Sequence, residues 1–222
     1  MPRVVLKLGG RVAAVAAVRA LELRDAGADV VVVHGAGPQI TAEMEAMGIE
    51  PSFVDGRRVT TPEVLALVQA SLRAVNAEVC TALGSVAVGL HGDEIGLQAE
   101  QVPGLGLVGD PVPSAPAAVL EALEAGRVPV VSPLAVGPLN VNADEAAAAL
   151  AVGLRADRIE FVSDVPGVLL GDEVIGRIAA DDADRMLAAG RFDGGIVPKL
   201  LAAVRASRGG VQASIGATEV VA

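Results

Sequence analysis

The chain has 222 residues, a formal net charge of −10, no tryptophan or tyrosine, three phenylalanines and one cysteine. This acidic, aromatic-poor composition argues against nucleic acid or an anionic membrane surface as a partner, because both need a basic footprint and single strands also need stacking platforms. Cys80 alone makes no disulfide framework and no cysteine zinc site, no apolar run reaches the ~20 residues that span a bilayer, and the N-terminus has no signal-peptide pattern; a cytoplasmic protein is expected.

Residues 3–8, RVVLKL, are apolar and β-branched, as in a buried strand, and a glycine pair ends them. Residues 11–27 have helical periodicity up to Gly27. Residues 28–37 form a second buried strand pattern that again ends in glycines. Residues 38–48 open on Pro38 and close on Gly48, as helices prefer. This β-loop-α-β-loop-α order predicts a parallel sheet with helices on its faces. Asp55-Gly56 marks a hairpin within 51–60. One long helix follows over 61–84, opened by Thr61-Pro62, and then a strand over 85–90. Residues 91–117, rich in glycine and proline, predict turns and short antiparallel pieces. Beyond them come a helix (117–126), a strand (127–132), extended chain passing into a helix (140–154), a strand and turn (156–169), two helices (181–190 and 196–210) and a last strand (211–216). One domain is expected, with the proline-rich stretch 103–116 joining an N-terminal lobe, 1–113, to a C-terminal lobe, 114–222.

Arginine supplies nearly all the positive charge. Of 17 basic residues only Lys7 and Lys199 are lysines, and each lies beside a glycine pair, in KLGG and GGIVPK. A lysine at the end of a buried strand needs a partner or an edge to reach. An ammonium is also a compact point charge that suits a phosphate oxygen. Two consecutive strands end in glycine loops that open helices, KLGGR and HGAGPQ, and helix N-termini attract anions. Neither loop is a Walker or dinucleotide fingerprint, and either alone reads equally well as a tight strand–helix turn. His34 and His91 read as hydrogen-bonded structural residues.

The stretches VVLKLGG, VVVVHGAGPQI, GIEPSFVDGRRVT, AVGL, LNVNADEAAAALAVGLRADRIEFVSDVPGVL and GGIVPKLLAAVRAS span nearly the whole chain. In that order they resemble the amino acid kinase family. N-x-N-A-D before a helix and the S-D-V-x-G turn are the most specific parts. The resemblance implies a three-layer α/β/α sandwich with a mostly parallel central sheet, in which the N-terminal part binds an acyl amino acid and the C-terminal part binds ATP. It implies transfer of the γ-phosphoryl of ATP to the side-chain carboxylate of N-acetyl-L-glutamate, giving an acyl phosphate in arginine biosynthesis. Mg²⁺ would accompany ATP on phosphate oxygens and water, with no protein ligand named. A carboxylate acceptor is already ionised at neutral pH and needs no general base.

By the same resemblance Lys7 and Lys199 flank the transferred phosphoryl group, Asp144 holds both lysines, and the backbone N–H groups of Gly10 and Ala36 donate to the same oxygens. Ala36, Gly37, Arg58, Asn140 and Asn142 fall to the acyl amino acid. Gly9, Asp164 and Gly167 fall to the nucleotide, with both lysines. From position alone, Asp144 reads as a helix N-cap, Asn140 as a turn former and Arg57 as solvent-facing. Ala36 stands where a third glycine is usual, which costs little only if its φ is negative. Relatives usually continue past the position of Ala222, and arginine-inhibited hexameric relatives carry a helix ahead of the first strand. The expectation is a homodimer joined through the 61–84 helix, without arginine feedback. Two alternatives remain open at this point: a sister kinase acting on another carboxylate, such as carrier-linked 2-aminoadipate in lysine biosynthesis, and a catalytically weak regulator that binds metabolites.

Overall fold

A computed structural model describes residues 1–9, 13–162 and 165–222, with residues 13–16 as backbone only. In chain order the elements are β1 (Arg3–Leu8), α1 (Ala13–Asp25), β2 (Asp29–His34), α2 (Gly37–Ala46), β3 (Phe53–Val54), β4 (Arg57–Arg58), α3 (Pro62–Leu83), β5 (Ala87–His91), α4 (Gly92–Ile95), β6 (Ala99–Gln101), β7 (Val108–Pro111) and α5 (Ala117–Glu124). They continue with β8 (Val128–Ser132), β9 (Leu134–Ala135), β10 (Leu139–Val141), α6 (Ala143–Gly153), β11 (Arg158–Val162), β12 (Leu169–Leu170), β13 (Glu173–Val174), β14 (Arg177–Ala179), α7 (Ala180–Ala188), α8 (Ile196–Arg208), β15 (Gln212–Ile215) and β16 (Thr218–Val221).

The main sheet runs β14-β16-β15-β11-β1-β2-β8-β5, and every pairing in it is parallel except β15 with β16. A smaller sheet, β6-β7-β10-β9, flanks it. Alternation along β1 sorts the two faces. Val4, Leu6 and Leu8 pack with Ala17, Ala20 and Leu23 of α1, Met44 of α2 and Val68, Leu72 and Val75 of α3. Val5 on the opposite face packs with α5, α6 and α8 through Val119, Leu150, Leu200 and Val204. Helices therefore cover both faces, and the molecule is the expected three-layer α/β/α sandwich.

The long helix α3 starts where the sequence predicts. The Thr61 hydroxyl accepts the Val64 amide proton at 3.2 Å and Pro62 follows in the first turn. The Asp55-Gly56 hairpin forms as β3 and β4, with Phe53 opposite Arg58. The C-terminal edge is richer than one final strand. β15 turns at Gly216 (φ +52°) into β16, which recruits β14 in parallel. These strands are three or four residues long, too short for periodicity to reveal.

Candidate active site

Lys7 lies on β1, paired between Phe161 of β11 and Val33 of β2, at the centre of the main sheet. It is 4 % exposed. Its place two residues after Val5 aims it toward the α6 and α8 side. There its Nζ stands 2.8 Å from Asp144 Oδ1, and Lys199 Nζ, from the first turn of α8, stands 3.5 Å from Asp144 Oδ2. One carboxylate thus holds two ammonium groups brought from opposite ends of the polypeptide. Burial pulls the Lys7 pKa below the ordinary lysine value; Asp144 pushes the other way, and Lys199 adds to the lowering.

Asp144 is not the N-cap that its position suggests. The cap of α6 is Asn142, whose Oδ1 accepts from the amides of Asp144 (2.8 Å) and Glu145 (3.3 Å). The shift by two residues leaves the Asp144 carboxylate available to the lysines, while Asn142 does the capping.

Two cavities meet at this cluster. The first, about 270 Å³, is lined by Lys7, Gly9, Ala36, Gly37, Arg58, Asn140, Asn142, Asp144 and Lys199, among others. It gathers all five residues expected at the acyl amino acid, together with the two lysines and Asp144. The second, about 580 Å³, is walled by Gly167, Leu169, Arg191, Phe192, the Gly194-Gly195 pair and Lys199. Lys199 belongs to both walls. Gly167 has a packing reason of its own: a Cβ there would meet Thr218 Oγ1 at 2.7 Å and Val174 Cγ1 at 2.8 Å. Gly10 and Asp164 lie outside the described residues.

Arg58 is buried, and burial lowers its pKa from the ordinary arginine value. Its guanidinium donates to Thr41 Oγ1 at 2.8 Å and to the Gly37 carbonyl at 3.2 Å, and sits 4.6 Å from the centre of the Phe53 ring. Asn140 donates to Thr60 Oγ1 at 2.9 Å, and Thr60 donates to the Arg58 carbonyl at 2.7 Å. Thr60 thereby links two residues of the first cavity. Sequence reasoning missed it, because a lone threonine after a hairpin carries no signal of its own. Ala36 has φ −137°, on the negative side, so the position does not demand the positive φ that would favour a glycine there.

Arg57 corrects the expectation of a solvent-facing side chain. It is only 19 % exposed and forms ion pairs with Glu145 and Asp110. The hydrophilic look of "DGRR" hid this, since the partners come from 88 and 53 residues away.

The two histidines are structural, as expected. His91 Nδ1 lies 2.8 Å from Ser132 Oγ. His34 is buried, with Nε2 3.1 Å from Asn76 Nδ2, and the same amide donates to the Val130 carbonyl at 2.9 Å. Asn76 as donor makes His34 Nε2 an acceptor, so the imidazole is neutral; burial, above all, brings its pKa down to about 4. The unfolded chain binds a proton on this residue below its ordinary value of about 6.5, so stability is lost as pH falls from there to about 4. The loss attributable to His34 is roughly 3 kcal/mol. Melting curves across that window are expected to show a falling Tm, and His34→Gln is expected to flatten the fall.

A model of the amino acid kinase family matches residues 2–216. The acetylglutamate kinase of Rubrobacter xylanophilus is 44 % identical over 225 residues, covering 97 % of this chain and 88 % of the relative. The acetylglutamate kinase of Acidothermus cellulolyticus is 41 % identical, covering 95 % and 81 %. Among solved structures, a Streptococcus mutans UA159 protein superposes with a TM-score of 0.90 at 28 % identity, over 99 % of this chain and 98 % of its own. A family match that begins before Lys7 and ends beyond Lys199 takes in the whole cluster and β1, α6 and α8 that carry it, and the chain belongs to the amino acid kinase family.

Proposed function

We propose that the chain phosphorylates the side-chain carboxylate of N-acetyl-L-glutamate with ATP, forming an acyl phosphate for arginine biosynthesis. The observation that carries this reading is Lys199: it walls both cavities and shares Asp144 with the buried Lys7. The smaller, more polar-lined cavity takes the acceptor, with Arg58 and Asn140 for its carboxylates. The larger one, bounded by glycines and by Leu169 and Phe192, takes the nucleotide.

The chemistry brings an anion up to a polyanion. The acceptor carboxylate is ionised at neutral pH and attacks the γ-phosphorus as the bond to the β–γ bridging oxygen breaks and ADP departs. The protein positions the two substrates and neutralises charge. Lys7 and Lys199 supply that charge at the phosphoryl oxygens, and Asp144 keeps the ammonium groups oriented when the site is empty. Mg²⁺ bound to ATP would supply further neutralisation of the phosphate charge. Among the described residues no cluster of three carboxylate, histidine or cysteine side chains is placed to hold it.

The same reading assigns 1–113 to the acceptor and to a homodimer packed through α3, and 114–222 to ATP, with Asn140 and Asn142 reaching across. It places the enzyme in the cytoplasm. An ATP-dependent hydroxamate assay offering acetylglutamate, glutamate, aspartate and 2-aminoadipate separately is expected to turn over acetylglutamate alone. Preference for any other acceptor overturns the assignment.

A further inference from the structure

The β3–β4 hairpin has little apolar anchorage. Its strands are two residues long, and Phe53 and Val54 are 53 % and 45 % exposed. Such a hairpin has no stability of its own. Its position over the smaller cavity therefore depends on polar ties, and two of them converge on the start of α6. Asn142 Nδ2 donates to the Gly56 carbonyl at 3.2 Å. Arg57 Nε lies 3.0 and 3.1 Å from the two oxygens of Glu145, and its Nη2 lies 2.9 Å from Oε1. Glu145 directly follows Asp144.

The tie extends further. Arg57 Nη2 also pairs with Asp110 Oδ2 at 3.2 Å, and Asp110 Oδ1 takes Arg205 Nη1 at 2.7 Å. Arg205 lies on α8, the helix of Lys199. Charges alternate along Glu145–Arg57–Asp110–Arg205, so each member neutralises its neighbours. Glu145 and Arg57 are largely buried, 17 % and 19 % exposed, so an uncompensated charge at either is costly.

We propose that Arg57 and Glu145 are positioning residues: their ion pair holds the 53–58 hairpin against the start of α6 and so keeps Arg58 on the acceptor cavity. This rests on the reading of that cavity as the acceptor site. Loss of the pair loosens the hairpin and leaves its placement of Arg58 to the Asn142–Gly56 bond and to the bonds Arg58 makes to Thr41 and the Gly37 carbonyl. The cost falls on acceptor binding and spares the nucleotide.

Arg57→Leu, Glu145→Gln and the double variant test this with the hydroxamate assay and with hydrogen exchange of the ligand-free proteins. Each single substitution is expected to raise the acetylglutamate KM about tenfold, with kcat and the ATP KM changed by about twofold or less. The double variant is expected to be no worse than the poorer single, because both break one interaction. Hairpin amides are expected to exchange faster in all three. Glu145→Gln keeps the side chain's shape, so it carries the test if Arg57→Leu folds poorly. An unchanged acceptor KM, an equal rise in the ATP KM, or additive effects of the two substitutions overturns the proposal. Absence of wild-type turnover on acetylglutamate overturns the acceptor assignment instead. The exchange arm then decides the tie alone, and unchanged hairpin exchange overturns it.

Discussion

Lys199→Arg is expected to lower kcat by about two to three orders of magnitude while the protein stays folded. Formal charge is conserved, so the loss isolates geometry. Lys199 reaches the rim of Asp144 with a single nitrogen at 3.5 Å, from a side chain 15 % exposed, at the wall common to both cavities. A guanidinium is planar, wider and arranged as a fork. Placed on α8 it pairs with Asp144 side-on and projects into the space between the two cavities. Steady-state kcat in the hydroxamate assay, with a thermal melt to verify folding, checks this. Turnover near the wild-type rate would remove Lys199 from the reaction.

Asp144→Ala has the largest expected effect on stability as well as on rate. It leaves Lys7, 4 % exposed, facing Lys199 without the anion between them. Breaking a buried pair from one side costs about 3–5 kcal/mol, which for a domain of this size lowers Tm by roughly 10 °C. Burial and Lys199 already lower the Lys7 pKa, and Asp144 opposes them. Asp144→Asn therefore moves the alkaline limb of kcat to lower pH, because Lys7 loses its proton sooner. A second substitution separates the two effects. Lys7→Met in the Asp144→Ala background is expected to regain part of the lost Tm and none of the activity. A double variant no more stable than Asp144→Ala would show that the buried ammonium was not the cause.

Much of the fold was legible because its signals are local. β1, β2 and β8 are largely apolar runs bounded by glycine or polar turns, β11 alternates buried Ile159 and Phe161 with partly exposed neighbours, and α3 is announced by Thr61-Pro62. The short strands β12 to β14 and β16 were not legible. Each is defined by its pairing partner, and two to four residues cannot display a period.

At the site, the rarity of lysine pointed to Lys7 and Lys199 before any geometry was known, and the structure brings them onto one carboxylate. The misreadings at Asp144 and Arg57 share a cause. N-capping is decided by which side chain folds back on the first turn, and Asn142, two residues earlier, does so. Solvent exposure of an arginine depends on distant acids, here Glu145 and Asp110, which a linear reading does not place beside it. Thr60 was missed for the same reason: its hydroxyl matters only once β10 has been laid alongside it.

The outer surface carries its positive charge as guanidinium, and the 222 residues hold two ε-amines, both paired with Asp144. An amine-directed reagent therefore meets no decoy side chains on the exterior. Each side-chain mass added in an intact spectrum then reports on one of the two lysines that share Asp144, the sheltered one on β1 or the more open one on α8.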